Sequence, residues 1–192
     1  MELTSCAWCH ATPLYQAYHD TEWGRPVRDE QKMFEFLLLE TFQAGLSWIT
    51  ILNKRENFRE VFHGFDPMQV ANMSIEDVEK ALQNPGIIRH RGKIQAAINN
   101  AQCVLQMHER GRSLVEFFWS YVKYEPQINR WESLDQLPAK TPLAETISKE
   151  LKKLGFKFVG PTTIYAHMQA TGMVNDHLVT CPQHQVICAS YK

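Results

Sequence analysis

Pro142-Leu143-Ala144-Glu145-Thr146-Ile147-Ser148-Lys149-Glu150-Leu151-Lys152-Lys153-Leu154 runs into Gly155-Phe156-Lys157-Phe158-Val159-Gly160 and then directly into Pro161. Leu143, Ile147, Leu151 and Leu154 recur at helical spacing, and Thr141 before Pro142 supplies a cap followed by a proline whose missing N–H costs nothing at a first helical position. A second helix is expected from Pro161 through Tyr165, Met168 and Gln169 to Gly172. The chain around this pair reads the same way. Thr12-Pro13 and Asp66-Pro67 each open a helix. Asp29 caps an amphipathic stretch through Met33, Phe34, Leu37, Leu38 and Phe42 that stops at Gly45, and Ser47 caps the next, through Trp48, Ile51, Leu52 and Phe58. Ser74 with Asp77 forms a capping box for a helix ending at Asn84-Pro85-Gly86, His90 to Arg110 form another, and Ser113 caps a short aromatic one through Trp119. Tyr124 to Ala139, polar and proline-containing, reads as a surface loop. No strand pattern or repeat appears. The fold class is all-α.

Length and composition set the frame. A chain of 192 residues can bury a core without staples, and residues 1–192 read as one domain. There is no long apolar run and no basic-then-apolar leader, so a cytoplasmic protein with no membrane partner is expected. Five cysteines, an odd number, do not suggest a disulfide framework. At a net charge of −1, any nucleic-acid binding must rest on a local basic face.

Two helices joined by a glycine-bounded hairpin resemble the helix-hairpin-helix motif. Its glycines let successive backbone N–H groups approach a DNA phosphate, with Lys152, Lys153 and Lys157 adding positive charge. A plain αα-turn is the bland alternative. Leu82 to Ile94, with Pro85-Gly86, Arg89, Arg91 and Lys93, is a weaker second hairpin. Near the chain ends, Cys6 with His19 and His177 with Cys181 offer a Cys2His2 set that suits zinc; Cys9, His10 and His184 compete with it.

Glu40-Thr41-Phe42-Gln43-Ala44-Gly45-Leu46-Ser47-Trp48-Ile49-Thr50 is the most specific stretch. With Tyr15-Gln16-Ala17-Tyr18-His19-Asp20, Glu22-Trp23-Gly24, Gly86 to Ile94, Gly155 to Gly160 and Val174-Asn175-Asp176-His177, it resembles the bacterial DNA-3-methyladenine glycosylase I family, of the helix-hairpin-helix glycosylase superfamily. The resemblance covers nearly the whole chain in order. It implies a monofunctional, monomeric DNA-repair enzyme that flips the damaged nucleotide from double-stranded DNA and hydrolyses the N-glycosidic bond of 3-methyladenine, releasing the free base. It implies Glu40 as the catalytic acidic residue, Tyr18 and Trp48 as base-binding residues with Tyr15, Trp8 and Trp23 as walls, and an intercalating turn at Gly45 and Leu46. Gly155, Lys157 and Gly160 would meet a phosphate, and Cys6, His19, His177 and Cys181 would hold one structural zinc that ties the termini together. It also implies the lack of the superfamily's usual aspartate, since asparagine stands at Asn175, leaving leaving-group lability to do the work. No lysine at the hairpin exit suggests Schiff-base strand cleavage.

Residue chemistry agrees. The methylated adenine in DNA is a cation, and an aromatic box attracts it by about 0.5–2 kcal/mol per well-placed ring and about 1–3 kcal/mol per stacked base. Glu40 follows Leu37-Leu38-Leu39, and a carboxylate buried in such a run needs a donor such as an adenine amino group. Two other classes fit less well. A non-catalytic DNA-binding hairpin module needs no aromatic pocket, and a zinc-stabilised partner-binding protein needs neither.

Overall fold

The computed structural model describes residues 4–190, and helices dominate them. After a 3-10 turn over Ala7–Ala11 come α1 (Pro13–Thr21), α2 (Glu30–Gln43), α3 (Trp48–Asn53), α4 (Arg55–Val61), α5 (Pro67–Ala71), α6 (Ile75–Gln83), α7 (Arg91–Glu109), α8 (Leu114–Ser120), α9 (Pro142–Lys153), α10 (Pro161–Ala170) and α11 (Pro182–Ala189). The caps behave as their chemistry dictates. Thr12, Asp66 and Thr141 accept from the amides of Tyr15, Met68 and Ala144, and both Ser74–Asp77 and Ser113–Glu116 close capping boxes.

Around α2 the rest is organised. Every residue from Met33 to Phe42 is buried, so this helix is not amphipathic as expected but enclosed on all sides. The run Leu37-Leu38-Leu39 already covers more than one face, and such a helix must lie inside the core. It packs against α3, α7, α8 and α10. The stretch after Ser47 also departs from expectation. It breaks at Lys54 into α3 and α4, and the Ser47 hydroxyl pairs with Thr50 Oγ1 at 2.9 Å instead of capping an amide.

Tyr124 to Ala139 is more than a surface loop. Gln127–Ile128 (β1) pairs in parallel with Val174–Asn175 (β2), and Leu134–Gln136 forms a 3-10 turn. Asn129 and Trp131 fasten the segment to Asp176 at 2.6 and 2.8 Å. At the end of α10, Gly172 has φ +72°, and a Cβ there would stand 2.4 Å from the Arg25 carbonyl carbon and 2.6 Å from Pro26 N. Only glycine lets the two backbones meet.

Candidate active site

Trp8, Tyr15, Tyr18, Trp23, Glu40 and Trp48, all read from the sequence, line one cavity of ≈ 230 Å³. Gln43, Leu134, Leu137, Ala166 and Gln169 complete its wall. Gln43 was legible, since it lies three residues after Glu40 on the same helix and therefore on the same face. No local signal marks the two leucines, which the fastened loop carries in. Ring contacts order the aromatic side: Trp8 to Tyr15 at 4.8 Å, Trp8 to Trp23 at 5.1 Å and Tyr18 to Trp48 at 5.6 Å between centroids.

Two carboxylates are buried on α2, and their surroundings are opposite. Glu35, 5% exposed, receives Arg55 Nε at 2.7 Å and lies within ion-pair reach of Lys32 and Arg59. Burial pushes its carboxyl up, but Arg55 and the other two cations outweigh that and hold it below the usual value. Glu40, 4% exposed, faces the cavity with Oε2 unpartnered among the described residues, and burial alone pushes its pKa to about 8. Trp48 Nε1 is a second buried polar atom without a partner there. Burial, and next the charge of Glu40, raise the Tyr15 and Tyr18 hydroxyls, so both stay protonated. The cavity thus pairs apolar rings with one unmatched carboxyl oxygen and one unmatched N–H. An unpaired buried polar atom costs about 1–3 kcal/mol, which a ligand with complementary polar groups relieves.

Cys6, His19, His177 and Cys181 are brought together: all four are buried, with their ligand atoms within 4.8 Å of one another. His177 Nδ1 lies 3.1 Å from His19 Nε2, 3.6 Å from Cys181 Sγ and 3.9 Å from Cys6 Sγ, and Cys181 Sγ lies 3.6 Å from His19 Nε2. The outer ring nitrogens are occupied, His19 Nδ1 by Asp20 at 2.7 Å and His177 Nε2 by the Trp23 carbonyl at 3.1 Å. That leaves the inner nitrogens as lone-pair donors. The bond from Cys6 and the two imidazoles hold the Cys181 thiol far below its ordinary value, while the same bond and burial push Cys6 up. The competitors lie outside this set. His184 bonds the Asn129 carbonyl at 2.8 Å, and Cys9, though buried beside Cys6 with its amide on the Cys6 carbonyl at 3.1 Å, adds no ligand atom to the four.

The DNA-facing candidates are split between two turns. Gly45 has φ +83° with open space around it, and Leu46 beside it is 40% exposed. Lys93 Nζ donates to the carbonyls of Phe42 at 3.0 Å and Ala44 at 3.3 Å, bracing this turn from beneath. Between α9 and α10, Asn100 takes the Lys157 amide at 2.8 Å and gives to its carbonyl at 3.0 Å. The Lys157 amide is therefore spent inside the protein, contrary to the expectation of a run of free N–H groups, although its side chain is exposed. Phe158, Val159 and Gly160 keep amides that no protein group takes up among the described residues, and Gly160 caps α10 in open space.

Comparison with known proteins gives a consistent result. The family model described as methyladenine glycosylase matches residues 8–184. DNA-3-methyladenine glycosylase 1 of Escherichia coli is 55% identical over 176 residues, 92% of this chain and 94% of its own. DNA-3-methyladenine glycosylase of Haemophilus influenzae is 48% identical over 179 residues, 93% of this chain and 97% of its own. A crystal structure of 3-methyladenine DNA glycosylase I superposes with a TM-score of 0.91 at 55% identity, covering 93% of this chain and 98% of that one. The Staphylococcus aureus enzyme, studied for its recognition of 3-methyladenine, gives 0.91 at 38% identity, covering 96% and 98%.

Proposed function

This chain belongs to the methyladenine glycosylase family, and on that premise we propose that it hydrolyses the N-glycosidic bond of 3-methyladenine in alkylated DNA, receiving the flipped nucleotide in the aromatic cavity. The observation that carries the reading is the unpartnered Glu40 carboxyl, enclosed with the unpartnered Trp48 N–H among aromatic rings. A 3-methyladenine ring offers an amino donor and ring-nitrogen acceptors to these two atoms, and its positive charge suits both the carboxylate and the faces of Trp48 and Tyr18. Tyr15, Trp8 and Trp23 wall the base from water.

The base leaves neutral, so no acid is needed. The C1′–N9 bond breaks with its electrons passing to the ring, water adds to the oxocarbenium-like sugar, and its proton returns to solvent. Glu40 contributes by stabilising the bound cation. Among the described residues no lysine lines the cavity to form a Schiff base. Leu46 on the Gly45 turn fills the gap left by the extruded nucleotide, and the hairpin from Gly155 through Lys157 to Gly160, read as a helix-hairpin-helix, holds a phosphate at the start of α10.

Cys6, His19, His177 and Cys181 fit zinc. A tetrahedral ion about 2.3 Å from sulfur and about 2.0–2.1 Å from nitrogen sets sulfur–nitrogen edges of about 3.6 Å and a nitrogen–nitrogen edge of about 3.4 Å. Four of the separations, 3.1–3.9 Å, lie near these edges within a set that spans up to 4.8 Å. With four protein ligands such an ion supplies structure and no reaction step. We read the chain as one domain, acting as a cytoplasmic monomer; no helix among the described residues is long and apolar enough to cross a membrane.

The test is release of free 3-methyladenine from methylated duplex DNA, together with Glu40→Gln. Losing a charged hydrogen bond in an enclosed site is worth about 1.5–3 kcal/mol, hence a roughly ten- to hundred-fold loss of affinity for the methylated base. A variant that bound and excised as the parent does would refute the assignment of the cavity.

A further inference from the structure

Asp176 is 1% exposed and its carboxylate takes hydrogen bonds from neutral groups. Oδ1 accepts from Asn129 Nδ2 at 2.6 Å and Trp131 Nε1 at 2.8 Å; Oδ2 accepts from the Tyr165 hydroxyl and from Gln169 Nε2 at 2.9 Å. All these partners donate, and the indole and the two amide nitrogens can do nothing else. This decides which way the Gln169 amide faces. Toward a carboxylate it must offer its NH2, so the atom left for the cavity that Gln169 lines is the acceptor Oε1.

The sign of that acceptor is fixed, whereas the sign of Glu40 is not. A carboxyl held by burial near neutrality can either accept from an amino group or, when protonated, donate to a carbonyl. Glu40 by itself therefore does not reject a 6-oxopurine. Gln169, locked by Asp176, meets a 6-oxo oxygen with a second oxygen and a 6-amino group with a hydrogen bond, and it can take the amino hydrogen that Glu40 leaves free.

We propose that Gln169 is a specificity-determining residue of the cavity, accepting from the exocyclic amino group of the purine, and that Asp176 is the positioning residue that prevents its amide from flipping. This rests on the reading of the cavity as the 3-methyladenine site and extends it. The test compares binding of free 3-methyladenine and 3-methylguanine, by quenching of tryptophan fluorescence, in the parent, Gln169→Leu, Asp176→Asn and the double variant. Gln169→Leu is expected to lose about three- to tenfold in affinity for 3-methyladenine, the worth of one neutral hydrogen bond, with no matching loss for 3-methylguanine. Asp176→Asn frees the amide to turn and narrows the selectivity ratio similarly, and the double variant narrows it no further than Gln169→Leu alone. A merely structural role would weaken both ligands together. Gln169→Leu leaves the other three donors to Asp176 in place, so it decides the matter even if Asp176→Asn does not fold. An unchanged ratio in Gln169→Leu, or additive narrowing in the double variant, overturns the proposal alone. A parent that binds neither base overturns the reading of the cavity, and the proposal with it.

Discussion

Glu40 is held in a conformation that works against stability. Its pKa in the folded protein is about 8, against an ordinary value of 4.5. Below the ordinary value it is protonated folded or unfolded and costs nothing through ionisation. Between the two values the unfolded chain ionises while the folded one does not, so stability falls as pH rises, and above the folded value the full penalty of roughly 4–5 kcal/mol applies. Ligand-free Glu40→Gln is therefore expected to be more stable than the parent at pH 8.5 and close to it at pH 4, as measured by denaturant unfolding; an equal difference at both pH values would contradict the burial argument. Catalysis runs the other way. Recognition of a cation needs the carboxylate, so kcat/KM on methylated DNA is expected to decline as pH falls below about 8, and Glu40→Gln is expected to lack that limb. Glu35, five residues earlier on the same helix but paired with Arg55, contributes no such limb.

At the level of elements, the turn between α2 and α3 presents Leu46 to solvent while Lys93 ties the end of α2 down. Leu46→Ala is expected to slow excision from duplex DNA and leave the affinity for free 3-methyladenine unchanged; equal losses would put Leu46 in the cavity wall. The hairpin between α9 and α10 depends on Asn100, fully buried and bonded to both backbone groups of Lys157. Asn100→Ala strips partners from two part-buried backbone groups, for at most about 1–3 kcal/mol in all, and is expected to weaken DNA binding more than base binding. The helices were legible because their caps are local chemistry: Thr12, Asp66, Thr141 and Ser74 act on amides two or three residues away. The aromatic and acidic lining was legible through its residue types. Leu134 and Leu137 were not, because their segment owes its order to Asp176, 47 residues beyond Asn129 and 45 beyond Trp131, and no local pattern encodes a partner that far along the chain. Ser47 misled for the opposite reason, its hydroxyl having a nearer partner in Thr50.

Across the whole molecule, the Cys and His cluster and the cavity share a wall. Trp8 meets the His19 ring at 5.0 Å, Trp23 meets the His177 ring at 4.6 Å, and the Trp23 carbonyl bonds His177. Elemental analysis is expected to find one zinc per chain, and Cys181→Ala or a strong chelator is expected to lower Tm and also weaken 3-methyladenine binding, since Trp8 and Trp23 lose their backing. A metal-free preparation of full stability would reject the site. The closest backbone approach at any glycine nevertheless belongs to neither centre. At Gly172 the smallest possible side-chain carbon would overlap the backbone of Arg25 and Pro26, and the left-handed φ would strain it further. In a saturation library selected for survival under a methylating agent, the codon for Gly172 is expected to stay as fixed as those of the residues that touch the base, an intolerance that reports backbone contact and not chemistry.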